Sequence, residues 1–388
     1  MKLIKFLSIL SLTLIIILNF NACDETTSTD TNPVIESISP TEGLPGDKVK
    51  IYGSDFGEYN QTTSKVYFNN VLAQIATEGK QILWEDDEIT AIVPQGATTG
   101  DVVVEVDGKK SNGIKFTIPS VDPAKQLMAT SIDDKTVKIK WTPSDEESSS
   151  NFIGYWLFVY PTNSQPGDYL EIQKGSTNYT IGGLTEGTVY NFDLYAVKNY
   201  SGKTLLSQKV TIQWSPATRF ITNINDDAIK LYESASTFGS GLKLYDETGG
   251  APKGLKVSSG NEWDLGLYTE GSVIEFGSAK NILQKYSSYT GTTKKVEIAS
   301  QYIEANSLDE VFDSQALSAK SFSERTFDLA QIQTNKNIVF IVRTNPPSYN
   351  YAKVMVLNKG GFLQGNPNNR YIEVIVSYQK VPGVPYAF

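Results

Sequence analysis

Short runs of alternating apolar and polar residues, separated by clusters of glycine, proline and asparagine, recur along this chain from about residue 32 onward. The segments Val49–Tyr52, Asp101–Val106 and Val137–Trp141 show the alternation clearly. A period of two places successive side chains on opposite faces of a strand, whereas a helix needs a period near 3.6. Helical periodicity is absent from this part of the chain, so the pattern predicts an all-β fold of the sandwich type.

The length of the chain indicates several domains. At roughly 150 residues per domain, its 388 residues give an expectation of two to three. Hydrophobic residues make up 40% of the chain, which is enough for packed cores. Changes in the strand pattern favour three folded domains, at residues 33–118, 119–216 and 217–388.

Charge and histidine content exclude several functions. The formal net charge is −9 and there is no basic stripe, which disfavours binding to nucleic acid or to an anionic membrane through the protein surface. The chain has no histidine, so Ser-His-Asp triads, Cys-His pairs and histidine-rich zinc sites are excluded. A carboxylate pair is the remaining common catalytic device, and no pair stands out among 43 acidic residues. We predict no enzyme activity, no catalytic residue and no metal site.

The first 23 residues have the pattern of a secretory signal. Lys2 and Lys5 precede the apolar run Leu7–Leu18, which is shorter than the roughly 20 residues needed to span a bilayer. The segment Phe20–Cys23 resembles a bacterial lipobox, and that resemblance implies cleavage after residue 22 and acylation of Cys23. A plain signal peptide or a membrane-spanning anchor is the alternative.

Cys23 is the single cysteine of the chain, so it cannot form an intramolecular disulfide, and a lipid anchor is its one obvious use. Residues 24–32 are polar and predict a flexible tether. Their acidic start resembles the export signal of Bacteroidetes-type lipoproteins. We expect a lipid-anchored, extracytoplasmic protein at the outer membrane or cell surface. The sequence does not decide between the surface side and the periplasmic side of the membrane.

The segment after residue 32 opens with turn-forming residues and a short alternating strand. Pro40 starts an extended entry, Gly43 and Gly46 suit turns, and Val49 and Ile51 point to one face. This opening resembles that of the IPT/TIG immunoglobulin-like family, and the resemblance continues to about Ile118. In such families the domain is a spacer or interaction module, and no catalytic residue is implied.

The second domain has a tryptophan and a tyrosine in characteristic positions. Trp141 ends an alternating strand and is suited to fill the space between two sheets. The segment Leu184–Phe192 closely resembles the signature of the fibronectin type III family, and that resemblance implies that Tyr190 forms a corner by bonding back to the chain. We therefore predict two immunoglobulin-like β-sandwiches followed by a larger β-rich domain with one or two short helices.

In the third domain, strands are predicted around Leu242–Tyr245, Trp263–Tyr268, Ile338–Val342 and Tyr371–Tyr378. Ser307 and Glu310 fit a capping box, which predicts a helix with Leu308, Val311, Phe312 and Leu317 on one face. The glycines Gly239, Gly241, Gly249 and Gly250 lack the phosphate-binding fingerprints and are interpreted as hairpin turns.

The order and spacing of Glu262–Gly266, Tyr349–Val356 and Tyr371–Gln379 are similar to those of HmuY-like β-rich lipoproteins, which implies haem capture. Haem iron is held by His, Met, Cys or Tyr. Without histidine, the candidates in this domain are Met355 and a tyrosine that the sequence does not single out, and the alternating apolar strand around Met355 favours core packing for it. Apart from this haem hypothesis, no cofactor is predicted.

A ligand-binding third domain predicts a concave aromatic pocket. The candidates are Trp263, Tyr268, Tyr286, Tyr289, Tyr349 and Tyr351. The ligand would be a polysaccharide, haem or a protein partner. The alternative is a structural or adhesive envelope or matrix protein, which predicts flat, packed sheets. The segment Asn223–Asp227 offers oxygen ligands for calcium but lacks the glycine and distal glutamate of an EF-hand loop.

Overall fold

The computed structural model describes residues 31–387. The predicted signal peptide, Cys23 and most of the tether lie outside the described residues. The chain divides into two compact units, with the boundary between Pro119 and Ser120. Strands dominate both units, which confirms the all-β prediction. Across residues 31–387, none of the helices combines the length and apolar character needed to cross a membrane.

The first unit is a β-sandwich of short strands. Within the described residues these are β1 Val34–Ser39, β2 Lys48–Ser54, β3 Lys65–Phe68, β4 Val71–Leu72, β5 Gln74–Ile75, β6 Thr77–Glu78, β7 Gln81–Ile82, β8 Glu88–Ile92, β9 Gly100–Val106, β10 Lys109–Lys110 and β11 Ile114–Phe116. One sheet has the order β1-β2-β8-β5, and the other has the order β10-β9-β3-β4 with β11 also paired to β9. Strands β6 and β7 form a small separate hairpin.

Alternation places the core of this unit where the sequence predicted it. Val49 and Ile51 are completely buried on one face of β2. Gly46, in the turn before that strand, has φ of 93°, a left-handed conformation that glycine adopts without a Cβ clash. Trp84 is buried, and its indole N–H donates to the carbonyl oxygen of Gly57 at 3.1 Å. The bulky ring is therefore packed without leaving a polar atom unpaired.

The second unit begins with another β-sandwich. Its strands are β12 Lys125–Ser131, β13 Val137–Thr142, β14 Phe152–Pro161, β15 Tyr169–Gln173, β16 Asn178–Ile181, β17 Tyr190–Tyr200, β18 Lys203–Leu206 and β19 Val210–Trp214. The smaller sheet has the order β12-β13-β16, and the larger has the order β15-β14-β17-β18 with β19 also paired to β17.

The two residues predicted to mark this sandwich take the expected positions. Trp141 is 4% exposed, and its ring packs edge-on against Tyr155 with centroids 5.3 Å apart. The Tyr190 hydroxyl accepts a hydrogen bond from the backbone N–H of Thr185 at 3.1 Å. Trp141 thus packs in the core of this sandwich, and Tyr190 makes a corner by bonding back to the chain.

The rest of the second unit adds two larger sheets. Their strands are β20 Thr218–Phe220, β21 Ile229–Tyr232, β22 Gly241–Asp246, β23 Ala251–Leu255, β24 Leu265–Glu270, β25 Val273–Ser278, β26 Val296–Ala299, β27 Ile303–Ala305, β28 Phe322–Ser323, β29 Thr326–Asp328, β30 Asn337–Thr344, β31 Asn350–Val356 and β32 Tyr371–Tyr378. One sheet contains β20-β32-β31-β30-β26-β28 with β21 and β27 at its margins, and the other has the order β23-β22-β24-β25-β29. Apolar residues of both sheets pack together, with Phe276 and Phe340 5.2 Å apart.

Helices in this region are short. The helix α1 spans Ala279–Leu283, and 3₁₀ turns span Val257–Glu262, Leu308–Glu310, Leu317–Ala319 and Leu329–Gln331.

The helix predicted from Ser307 is wrong, because Leu308–Glu310 forms only one 3₁₀ turn and Ser307 makes no capping hydrogen bond. The chain must become extended again by Asp313, whose backbone pairs with Ala129. This tertiary pairing prevents the helix from continuing.

Strand β31 is buried on both faces. Ala352 and Val354 point into the core between the two large sheets. Tyr351 and Met355 point to the opposite face, where other parts of the second unit cover them. A strand of this kind needs a packing partner on each side.

The β12–β19 sandwich supplies much of that second cover. One continuous core contains Trp214 of this sandwich together with Ile341, Tyr351 and Tyr386 of the following domain. The rings of Trp214 and Tyr386 lie 5.0 Å apart. The boundary predicted between residues 216 and 217 therefore separates two sets of sheets but not two hydrophobic cores.

A buried ion pair lies at this junction. Lys353 is completely buried, its Nζ lies 2.6 Å from Asp313 Oδ2, and it donates to the carbonyl oxygen of Val311 at 3.0 Å. Lys320 approaches Asp313 Oδ1 at 2.8 Å. Burial by itself raises the pKa of Asp313, but the two lysines lower it to below its ordinary value. Asp313 also exchanges two backbone hydrogen bonds with Ala129 of β12, at 2.9 and 3.0 Å.

We predict that Asp313→Ala lowers the free energy of unfolding of the second unit by about 3–5 kcal/mol, because it leaves the Lys353 ammonium buried without its counterion. Asp145→Ala, which removes the partner of Lys125 in an exposed pair, is the matched control and should change stability by about 1 kcal/mol or less. Urea unfolding of both variants checks this. Equal losses in the two variants would contradict it.

Candidate functional site

The aromatic residues predicted to line one pocket separate into two groups. Trp263, Tyr268, Tyr286 and Tyr289 pack around the helix α1. Trp263 is completely buried, and its indole N–H donates to the carbonyl oxygen of Lys256 at 3.1 Å. The structure therefore corrects the prediction that Trp263 lines an open pocket, because its ring and its polar atom are both occupied within the core.

Gly241 explains how the Trp263 indole fits. A Cβ added at Gly241 would lie 2.0 Å from the indole atom Cε2, so only glycine allows strand β22 to pass beside the ring. Gly241 is a strand residue, and its interpretation as part of a hairpin turn is wrong. Gly250, in contrast, lies in the turn between β22 and β23 with φ of 69°, as predicted.

Tyr349 and Tyr351 lie in the core shared with the β12–β19 sandwich. Tyr351 is 5% exposed. The Arg343 guanidinium lies over the Tyr349 ring at 4.2 Å and over the Phe322 ring at 4.6 Å. These contacts make both tyrosines part of the packing, so the structure does not place them in one pocket with Tyr268.

Met355 is 1% exposed and packs with Leu308, Val311 and Val339. The thioether is enclosed by these neighbours. Met355 is therefore a core residue, and the prediction that it faces a ligand is wrong. The packing role follows from alternation, since Lys353 and Met355 share the face of β31 opposite Val354.

A different cavity, of about 410 Å³, opens at the surface of the third domain. We call it the Phe238 cavity because Phe238, which is 55% exposed, forms part of its wall. Tyr232 lies beside Phe238 with ring centroids 4.8 Å apart. The cavity also presents the amides, carboxylate and ammonium groups of Asn223, Asn225, Asp227, Lys230 and Lys253.

The loop that carries Phe238 is fixed at both ends. The Glu233 carboxylate accepts hydrogen bonds from the Arg370 backbone N–H at 2.7 Å and from its guanidinium at 2.7 and 3.0 Å. The Arg370 hydrogen bonds hold the pKa of Glu233 below its ordinary value. At the other end, the Tyr232 N–H donates to the carbonyl oxygen of Gly239 at 2.9 Å. An exposed phenylalanine is thus held in place by polar contacts around it.

The opposite wall comes from a tight turn. The Asn223 side-chain oxygen accepts hydrogen bonds from the backbone N–H groups of Asn225 and Asp227, at 2.8 and 3.3 Å. This oxygen is therefore engaged in the turn and not available as a calcium ligand. Across residues 31–387, no group of three or more Asp, Glu, Cys or His side chains is arranged to hold a metal ion.

The cavity contains more positive than negative charge. Lys230 and Lys253 contribute two ammonium groups, and Asp227 contributes one carboxylate. The Lys230 Nζ lies 4.4 Å from the centre of the Tyr371 ring, a contact that positions the cation without neutralising it. The pKa of Asp246 is lowered mainly by its hydrogen bond from Lys243 and to a smaller extent by the charge of Lys253. Lys243, and not Lys253, is therefore the hydrogen-bonding partner of Asp246. The arrangement suits a ligand with hydroxyl groups, an apolar face and a negative charge.

Phe238 is not among the binding residues that the sequence predicts. One signal was present, since Phe238 is a single large apolar residue within the small and polar segment 234–241. The oxygen atoms of Asn223–Asp227 are evident from the sequence, but Phe238, which lines the same cavity, lies on another loop, and sequence spacing does not reveal that they are close.

We predict that Gly241→Ala lowers the free energy of unfolding by about 3 kcal/mol or more, because the new methyl group overlaps the Trp263 ring. Gly167→Ala is the control, since a Cβ there meets nothing within 4 Å. Urea unfolding followed by tryptophan fluorescence checks this. A loss in Gly241→Ala no larger than that in Gly167→Ala would disprove the role of Gly241.

Family models match the first two domains. The IPT/TIG domain model matches residues 33–118, and the fibronectin type III domain model matches residues 122–213. Both are immunoglobulin-like modules that carry no catalytic function.

Curated relatives match shorter stretches. A Kelch domain-containing protein of Saccharolobus solfataricus is 25% identical over 152 residues, which is 39% of this chain and 21% of the relative. A cyclomaltodextrin glucanotransferase of Paenibacillus macerans is 38% identical over 92 residues, which is 23% of this chain and 12% of the relative. The chain thus spans about a fifth or less of the length of these relatives.

Solved structures with similar parts include a gamma-CGTase from Alkalophilic bacillus clarkii, at 20% identity and a TM-score of 0.21, which covers 48% of this chain and 26% of that one. A two-domain fibronectin type III segment of chicken tenascin matches at 16% identity and a TM-score of 0.23, covering 48% of this chain and 99% of the segment. By the family matches and its own structure, this chain contains an IPT/TIG domain at residues 33–118 followed by a fibronectin type III domain at residues 122–213.

Proposed function

We propose that this protein is a non-catalytic, lipid-anchored protein of the bacterial cell envelope whose third domain binds a sugar of a polysaccharide in the Phe238 cavity. The observation that carries this proposal is an exposed aromatic ring on a fixed loop beside amide, carboxylate and ammonium groups. The IPT/TIG and fibronectin type III domains act as the modules that carry and support the binding domain.

The chemistry of the cavity favours a sugar as the ligand. A sugar ring has an apolar C–H face that packs on an aromatic ring such as Phe238, and it has hydroxyl groups that pair with the amide of Asn225 and the carboxylate of Asp227. Two ammonium groups against one carboxylate favour a sugar that carries a carboxylate of its own. We therefore expect acidic sugars to bind more tightly than neutral ones.

The lipid anchor is supported by the lipobox-like segment Phe20–Cys23 and by the absence of any second cysteine in the sequence. Acylation would attach residue 23 to the membrane, and the polar residues 24–32 would separate the folded domains from it. The exposed side of the outer membrane is the location that best suits a polysaccharide ligand.

The other hypotheses have less support. Haem capture by a HmuY-like domain stays a prediction, and the burial of Met355 removes the candidate ligand that favoured it. A structural or adhesive role without a small ligand does not account for the exposed Phe238 or the charges around it.

We predict that Phe238→Ala weakens binding of an acidic oligosaccharide, such as oligogalacturonate, by about tenfold, because the stacking surface is lost. Ile221→Ala, which removes another exposed apolar side chain (63% exposed) outside the cavity lining, should bind like the wild type. Lys253→Gln should reduce the preference for the acidic sugar over its neutral counterpart. Calorimetric titration of the full chain measures all three, and unchanged binding by Phe238→Ala would refute the proposed site.

We also predict that Cys23→Ala abolishes incorporation of a labelled fatty acid and moves the protein from the membrane fraction to the soluble fraction, because no other cysteine can be acylated. Labelling and fractionation of cells producing each form check this. Retention of the label in Cys23→Ala would rule out the anchor at this residue.

A further inference from the structure

The larger sheet of the fibronectin type III domain carries a group of aromatic side chains on its outward face. Trp156 and Phe158 lie on β14, Tyr169 lies on the edge strand β15, and Tyr195 lies on β17. We call these four residues the aromatic face. Tyr169 is 38% exposed and the other three are half-buried.

The four rings form one continuous surface. Trp156 and Tyr169 are stacked with centroids 3.9 Å apart. Phe158 lies 5.6 Å from Tyr169 and 5.6 Å from Tyr195. The surface crosses three neighbouring strands, a width of about 10 Å at the usual strand spacing, which is comparable with a pair of linked sugar rings.

The core of the domain does not require these aromatic residues. On the same strand, Tyr155 and Leu157 point inward and are completely buried. Outward positions of a solvated antiparallel sheet are ordinarily polar. A contiguous group of partly exposed rings on an outward face is therefore more characteristic of a contact surface than of packing.

Polar groups with slightly more negative than positive charge border the aromatic face. The Tyr160 hydroxyl donates to Asp193 at 2.8 Å, and Lys209 and Thr211 donate to the same carboxylate at 2.8 and 2.7 Å. Lys209 thus neutralises Asp193. Glu171, opposite Trp156 on β15, adds one carboxylate at the edge. The border offers hydrogen-bonding groups but no excess of positive charge that would attract an anion.

We propose that the aromatic face binds a chain of neutral polysaccharide. Sugar C–H faces pack on the aromatic rings, while sugar hydroxyl groups pair with the hydroxyl, carboxylate and ammonium groups at the border. The excess carboxylate at the border disfavours acidic polysaccharides and nucleic acid at this face, because no excess positive charge compensates theirs. This site is carried by different residues from the Phe238 cavity and does not depend on it.

The test is affinity electrophoresis of the full chain in gels that contain a neutral polysaccharide: a linear α-1,4-glucan, a β-1,3-glucan or a β-1,4-glucan. A glucan that binds the protein slows its migration in the gel. The double variant Trp156→Ala/Tyr169→Ala should bind that glucan about tenfold more weakly than the wild type. Ile153→Ala is the matched control, since Ile153 is a 48% exposed apolar residue of the same strand that does not belong to the aromatic face. Tyr169→Phe keeps the ring and should retain most of the binding.

The proposal is supported if a glucan retards the wild type, Ile153→Ala and Phe238→Ala but no longer retards the double variant. The urea unfolding midpoint of the double variant must match that of the wild type, and Tyr169→Ala alone provides a milder variant if it does not. Failure of all three neutral glucans to retard the wild type overturns the proposal, as does equal loss in Ile153→Ala. Loss in Phe238→Ala alone would assign neutral glucan to the cavity and would also overturn it.

Discussion

The ion pair between Lys353 and Asp313 is the interaction on which the arrangement of residues 120–387 depends. A fully buried ammonium group is tolerated only with a counterion and further hydrogen bonds, so Lys353 requires the loop with Asp313 to be in place. The backbone of Asp313 in turn pairs with Ala129 of the fibronectin type III domain. An apolar pair could pack in many registers, whereas this charged pair leaves an ion unpaired in any other arrangement.

The fibronectin type III domain is not an independent spacer, because it shares a hydrophobic core with the third domain. A flexible linker would let the fibronectin type III domain and the third domain move independently, but the packing of Trp214 on Tyr386 and the burial of Tyr351 join them in one unit. Association of this kind fixes the aromatic face and the Phe238 cavity within a single body.

Residue type alone was a poor guide to the candidate site. Trp263 and Met355 are aromatic or sulfur-containing residues in strand-like segments, yet both fill the core. Phe238 lies in no such segment, although the exposure of its side chain is the unusual feature of the site. The difference depends on which side of each segment other elements cover, and those elements are distant in sequence: Gly241 accommodates Trp263, and Arg370 fixes the loop before Phe238.

Local sequence determined the strands, the turns and the two family signatures. Alternation places Val49 and Ile51 inward, and a corner at Tyr190 needs a partner only five residues away. These features depend on neighbours along the chain, so the sequence by itself is sufficient to predict them. Only the tertiary structure decided three other features: the shared core, the single 3₁₀ turn in place of a helix after Ser307, and the exposure of Phe238. Each of them depends on contacts between segments far apart in the chain.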